Sequence, residues 1–252
     1  MSGPASAPSN TWGTKIYKRL FVEDRIVPAA TKLKLYVIAG SLILVGLVSL
    51  LALLWEVLHP DVVSMMDTGI QAWINGSRTE TLTLIMVALT VLFGPVVLPL
   101  VVLVVTVNWG IFAKHSWRPL LLAAGTLTGV VVVQIITRVV GRSRPPVDLM
   151  LNGPDTTFSF PSGHVLGACD FLLILTFLVF SRRSNPRMAA AAYVVAALLI
   201  VATASSRLYL GYHWATDVLA SMALSVVILG TVIAVDTHRT VRVTLGVPKS
   251  VP

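Results

Sequence analysis

Apolar residues in this chain gather in long uncharged blocks instead of alternating with polar ones. A helix that crosses the hydrocarbon of a bilayer needs about 20 mostly apolar residues, and six stretches meet that requirement. They run from Leu35 to Leu54, from about Leu82 to Val107, from Pro119 to Thr137, from His164 to Phe180, from Met188 to Ser206 and from Trp214 to Val235. The second lies inside an uncharged run, Thr81 to Ala113, too short for two spans and a loop. One long or tilted span is therefore expected, kinked at Gly94-Pro95. Lipid offers no partner to backbone polar groups, so every span should be helical. The pattern predicts an all-α integral membrane protein with six transmembrane helices. Its expected layout is a flexible basic N-terminal segment (1–32), a six-span domain (33–236) and a C-terminal tail (237–252). Between the first two spans, Glu56 to Glu80 is long enough for an interfacial helix with Ile70, Trp73 and Ile74 on one side; a plain connecting loop is the other reading.

Composition narrows the class. Of 252 residues, 56% are hydrophobic and 12% charged, against about 25% charged in soluble domains. Mean hydropathy is +0.85. Disorder, fibres and most soluble enzymes are excluded. The single cysteine, Cys169, excludes an intrachain disulfide framework and a cysteine-based metal cluster. No apolar core of a cleavable signal stands in the first thirty residues, so the first span is expected to act as an uncleaved insertion signal.

The net charge of +8 would suggest nucleic acid in a soluble protein. Here its placement follows the membrane, and no nucleic-acid partner is expected. Fourteen of the nineteen lysines and arginines fall on one side of a six-span layout. That side should be the cytoplasm, with both termini in it. The other five are Arg78, Arg138, Arg142, Arg144 and Arg207. The sidedness rule gives no reason for them at the outer face. A single interfacial arginine is usually an anchor, and Arg142 is read that way.

Three segments should meet at that outer face: Thr137 to Pro145, Phe160 to His164, and Ser206 to Asp217. Two histidines and one carboxylate among several arginines make a poor metal site but suit a phosphate. Guanidinium forks match phosphate oxygens and stay charged. Ser162 and Gly163 open a helix, where free backbone N–H groups face an anion. His213 and Asp217 are four residues apart, which in a helix puts them on one face. The carboxylate can then hold one imidazole nitrogen as N–H and leave the other free to attack. His164 is placed to protonate a leaving oxygen. Asp170, inside the fourth span, faces about 120° away from His164 on a helix and is read as structural.

These residues carry a resemblance to the type-2 phosphatidic acid phosphatase superfamily of membrane lipid phosphate phosphatases. Its pattern is matched by Arg144-Pro145, by Pro161 to His164, and by Ser206, Arg207, His213 and Asp217. The motifs are specific in combination and order, and the likeness extends from the first span to the sixth. Seven residues before Arg144, where the family usually has lysine, stands Thr137. Two readings of the adjacent Arg138 stand at this point: it replaces the lysine as a phosphate ligand, or it anchors the helix at the interface. The resemblance implies metal-independent hydrolysis of a lipid phosphate or diphosphate, with no cofactor. His213 would form a phosphohistidine, Asp217 would orient it, and His164 would serve as acid and then base. Arg144, Arg207, Ser162 and Gly163 would bind phosphate, joined by Arg138 on the first reading. Expected candidates for the substrate are a polyprenyl diphosphate, phosphatidate or phosphatidylglycerol phosphate, met in the plasma membrane at an outward-facing site. A lipid phosphotransferase and a non-catalytic lipid-binding scaffold are the competing classes. A transporter fits less well, because the ionisable groups cluster at one face and not at the bilayer midplane. Nothing in the chain bears on oligomeric state.

Overall fold

The computed structural model describes residues 24–59 and 62–243, together with Trp12, Gly13 and Ile16. The rest of the N-terminal segment and the tail beyond Val243 lie outside the described residues. Among the described residues are eight α-helices: α1 (Ala29–Leu58), α2 (Val62–Asn75), α3 (Glu80–Leu92), α4 (Val97–Phe112), α5 (Trp117–Val140), α6 (Gly163–Phe180), α7 (Pro186–Tyr209) and α8 (Ala215–Thr240). A 3-10 turn, Val147–Leu149, sits in the connection between α5 and α6.

Five helices, α1, α5, α6, α7 and α8, are each long and apolar enough to cross a membrane. The second expected span is a pair, α3 and α4, bent by 48° at its break. Six crossings result if that pair is one span. The break falls at Gly94-Pro95, because Pro95 has no N–H to give and its ring displaces the preceding turn.

Helices α6 and α8 form the inside of the bundle: 56% of each apolar window is buried, against 17% for α1. Leu166, Ile174 and Leu178 of α6 and Leu224, Ile228 and Val232 of α8 share one core cluster with Leu121, Leu122 and Val133 of α5. The outer helices turn side chains such as Leu44, Val45, Val104, Ile135 and Leu198 outward. Such faces gain little from burial against lipid tails, so close contact and shape decide the packing. Along α1 and α8 the contact is made by small residues. A methyl group added to Gly46 would come 2.7 Å from the Ala223 carbonyl, and one added to Gly230 would come 2.8 Å from that of Ala39.

The segment between α1 and α3 is a helix, as the first of the two readings had it. Its orientation differs from expectation in one residue. Ile70 and Ile74 pack inward on Tyr209, Leu210 and Tyr212, while Trp73 is 77% exposed. Met65 and Met66 are exposed as well.

One small structure was not foreseen. Arg25–Val27 (β1) pairs in parallel with Val241–Val243 (β2), so the chain just ahead of α1 is tied to the end of α8. At this end Arg25 donates to the Ser181 carbonyl, Arg118 to that of Leu178, and Arg182 to Asp236 and Thr240. At the opposite end Arg78 clamps the carbonyls of Tyr209 and Leu149. It is thus a structural tie between the start of α3, the end of α7 and the α5–α6 connection.

Candidate active site

The site is built where three helix ends meet. Helix α5 stops at Gly141, whose φ of +63° is a left-handed conformation that glycine adopts without cost. Its N–H closes the last turn on Thr137. This stop throws Arg142, Ser143 and Arg144 off the helix and across the ends of α6 and α8. Helix α6 starts at Gly163, with Ser162 at its N-cap, so the amides of its first turn have no partner within the helix. Helix α8 starts at Ala215, with Trp214 at its N-cap.

His213 precedes that helix, so the one-face geometry expected for His213 and Asp217 is not how they meet. Asp217, in the first turn of α8, folds back over the helix start. Its Oδ2 accepts the Trp214 N–H at 2.9 Å and lies 3.5 Å from His213 Nδ1. The closer partner of Nδ1 is the Ser159 carbonyl, at 2.8 Å. A carbonyl can only accept, so Nδ1 carries the proton and Nε2 keeps its lone pair. Burial disfavours the imidazolium, and the charges of Arg207 and Arg144 add to this. Together they outweigh Asp217 and pull His213 down to about 4. His213 is neutral at ordinary pH, with its unprotonated nitrogen turned toward Arg144 Nη1, 3.2 Å away.

A cavity of about 350 Å³ opens here. His213, His164, Gly163 and Arg144 line its polar end. Phe93, Leu98, Pro99, Val130 and Val133 line an apolar flank between the α3–α4 break and α5. Arg144 is held from several sides. It donates to the Tyr212 carbonyl at 2.7 Å and to Thr157 Oγ1 at 3.0 Å, and pairs with Asp155 at 3.0 Å. Its guanidinium is depressed by burial but supported by Asp155 and Asp217. Ser162 is fully buried between the cavity residues Pro161 and Gly163. Among the described residues its Oγ has no hydrogen-bond partner. Arg207 lies behind the cavity wall, 4% exposed. It donates to Thr90 Oγ1 at 2.6 Å and stacks over the Tyr212 ring at 4.4 Å.

Arg138 is not brought to the cavity. It is exposed and donates to the Gln134 carbonyl one turn back; Thr137 lines the cavity in its stead. The one-residue offset rotates Arg138 about 100° away from the lysine position, and its reach does not compensate. Asp170 is buried on α6, where Ser225 donates to it at 2.6 Å, away from these groups, in keeping with its structural reading. Among the described residues no three His, Cys, Asp or Glu side chains group as metal ligands.

Sequence reasoning passed over five contributors. Arg142, read as an anchor, bridges two carboxylates, Asp217 and Asp67, the second at 2.7 Å. Thr216 joins the same network. The Ser159 carbonyl sets the histidine tautomer, and Asp155 steadies Arg144. Only Arg142 left a signal, as a basic residue on the wrong side for the charge rule. A main-chain carbonyl has no sequence signature, and Asp67 lies far away on α2.

The chain is similar to known proteins in sequence and in fold. The pattern of the PAP2 superfamily matches residues 118–240. Phosphatidylglycerophosphatase B of Bacillus subtilis (strain 168) is 28% identical over 173 residues, covering 68% of this chain and 83% of that protein. The crystal structure of a transmembrane PAP2 type phosphatidylglycerolphosphate phosphatase from Bacillus subtilis superimposes with a TM-score of 0.67 at 26% identity, covering 79% of this chain and 95% of that one. With the expected motifs gathered at one end of a bundle of membrane-crossing helices, the chain is similar to the PAP2 superfamily through its second half and to PAP2-type lipid phosphate phosphatases in sequence and fold.

Proposed function

We propose that the protein removes the terminal phosphate of a glycerophospholipid phosphomonoester, phosphatidylglycerol phosphate foremost, through a phosphohistidine on His213. The observation that carries this reading is the neutral His213, whose Nε2 lone pair faces a cavity shared with His164, Arg144 and the first turn of α6. Nε2 attacks phosphorus, and the bond to the ester oxygen breaks. His164, as the imidazolium, gives a proton to that oxygen and becomes neutral, and the lipid alcohol leaves. Water then attacks the phosphohistidine while His164 takes a proton from it, and inorganic phosphate departs. Arg144, Ser162 and the Gly163 amide stabilise charge on the equatorial oxygens, and Arg207 adds its field from behind. Fixed donors of this kind are usually the largest contribution to such catalysis. Asp217 balances the charge that His213 acquires.

Phosphatidylglycerol phosphate heads the candidates because both relatives carry that activity in their names. The cavity has room for a head group, and its apolar flank leaves the acyl chains toward the lipid. The charge distribution of the chain supports a plasma-membrane orientation with cytoplasmic termini and an outward site.

The test is phosphate release from a panel of phosphatidylglycerol phosphate, phosphatidate and undecaprenyl diphosphate, with a chelator present. Wild type should release most phosphate from the first, and His213→Gln should release none. Release only from the diphosphate would overturn the substrate. Label appearing on an added alcohol would make the protein a transferase, and no release from any lipid would make it a scaffold.

A further inference from the structure

Resting on the reading of His213 as nucleophile, we infer that Asp67, on the interfacial helix α2, is a positioning residue for the reaction, acting through Arg142 and Thr216 on the Asp217–His213 pair. Nothing in the reaction as described so far uses it. Asp67 is 3% exposed, and both of its oxygens are engaged at the start of α8. Oδ1 accepts the Thr216 N–H at 3.1 Å, and Oδ2 accepts the Thr216 hydroxyl at 2.6 Å. Oδ2 also pairs with Arg142 Nη2 at 2.7 Å. The other arm of the same guanidinium, Nη1, donates to Asp217 Oδ1 and to Thr216 Oγ1. Asp217 in turn spends Oδ2 on the Trp214 amide and faces His213 Nδ1 with it. The ring of Trp214 lies under Arg142, 5.8 Å away. The order Asp67, Arg142, Asp217, His213 is continuous.

Two consequences follow for the chemistry. The first is geometric. Arg142 is gripped at both ends of its fork, so it cannot rotate away from Asp217. Asp217 is then fixed in the rotamer that reaches His213. The second is a charge balance: on the Nδ1 side of His213, opposite Arg144, the Asp67–Arg142–Asp217 group carries one net negative charge, which offsets the positive charge the ring gains on attacking phosphorus. With Asp67 neutral or absent, Arg142 spends its whole charge on Asp217, and the histidine loses that offset. Low local dielectric makes such imbalances costly. Asp67 does not line the cavity, so substrate binding should be spared. Because α2 also exposes Met65, Met66 and Trp73, the residue that steadies the nucleophile sits on the helix best placed to touch the membrane surface.

The test uses the full-length protein in detergent or vesicles, with Asp67→Asn and Asp67→Ala. Asparagine keeps the shape and one acceptor but removes the charge. Asp67→Ala should lower kcat about tenfold to a hundredfold, as small misplacements near a reacting atom do, with KM changed less than about twofold. Asp67→Asn should fall between Ala and wild type. In an Arg142→Ala background, Asp67→Ala should cost little more. A role confined to folding predicts a lower melting temperature with kcat per folded molecule unchanged in both variants, and that result overturns the inference. Nitrogen-15 histidine spectra give a reading independent of turnover, with the His213 signals assigned through His213→Gln. Wild type should show one Nδ1-protonated tautomer; Asp67→Ala should keep that tautomer, held by the Ser159 carbonyl, but shift its nitrogen signals as Asp217 moves. Unchanged His213 nitrogens in Asp67→Ala would sink the positioning role. Absence of phosphate release from wild type would instead count against the proposed function, leaving the spectra to decide on Asp67.

Discussion

Arginine meets aspartate at both ends of the helical bundle, with different consequences. At the end holding β1 and β2, Asp236 accepts the Trp117 indole at 3.0 Å and Arg182 at 3.4 Å, and Arg182 also donates to Thr240 at 2.7 Å. Trp117, Arg182, Asp236 and Thr240 there bond to one another. At the other end, ion pairs of the same type run through Arg142 to Asp217 and stop at His213. There the last nitrogen keeps a lone pair and faces a cavity. Ion pairing alone is therefore no sign of chemistry in a membrane protein. What separates the two ends is an imidazole nitrogen that the network orients with its lone pair toward a second histidine and a phosphate-binding type of arginine, His164 and Arg144, in one cavity.

The sharpest challenge to that contrast is Arg144→Ala. If the arginine at the open end serves phosphate, removing it should lower kcat/KM about a hundredfold to a thousandfold, as loss of a fixed oxyanion donor does. Arg144→Lys should recover only part, because an ammonium cannot reproduce the fork. Phosphate-release kinetics on both variants decide it; a loss below about tenfold would reduce Arg144 to a structural tie like Arg78.

A second test addresses the imidazole nitrogen itself. Burial and the two neighbouring arginines hold His213 at about 4. On the proposed mechanism the neutral form is the nucleophile, so the ring should remain competent as pH falls from 7 to 5 and be lost only as pH drops through about 4. Nitrogen-15 titration of the substrate-free protein should show His213 unprotonated at pH 5. A midpoint near the ordinary histidine value of about 6.5 would mean that the site is wetter than its geometry implies.

The closed end should respond in stability and not in rate. Asp236→Asn keeps the shape of the cluster but weakens the charged contact with Arg182. A loss of about 1–3 kcal/mol is expected, seen as a lower melting temperature, with kcat/KM per folded molecule unchanged. A drop in turnover as large as that of Arg144→Ala would erase the distinction between the two ends.

The smallest effect is expected at Arg138. Exposed and bonded only to its own helix, it should tolerate alanine with kcat/KM within about twofold, the range of ordinary surface changes. Thr137→Lys, by contrast, puts a cation into the cavity wall and should lower KM for a phosphomonoester. A steep loss in Arg138→Ala would restore the arginine as a phosphate ligand.

What could be read in the chain, and what could not, divides along physical lines. Runs of uncharged residues determine helices that cross a bilayer, because length and apolarity are local properties and lipid leaves the backbone no alternative. Gly94-Pro95 marked the break between α3 and α4 for the same local reason. That His164, His213, Asp217, Arg144, Ser162 and Gly163 would meet was legible because they stand at the ends of spans that the apolar pattern puts at one face. Arg138 and Trp73 were misdirected because direction around a helix is settled by what packs against it, and a neighbour in sequence is not a neighbour in space. Arg142 could be seen as misplaced charge but not as a bridge. Asp67, the Ser159 carbonyl and the Arg25–Val27 strand had no signal, since each takes its meaning from a partner at least 54 residues away. The sequence determined which groups can do phosphate chemistry. Tertiary structure alone decided which nitrogen is left free and what holds it there, because tautomer, burial and ion-pair order depend on contacts that the chain makes only after folding.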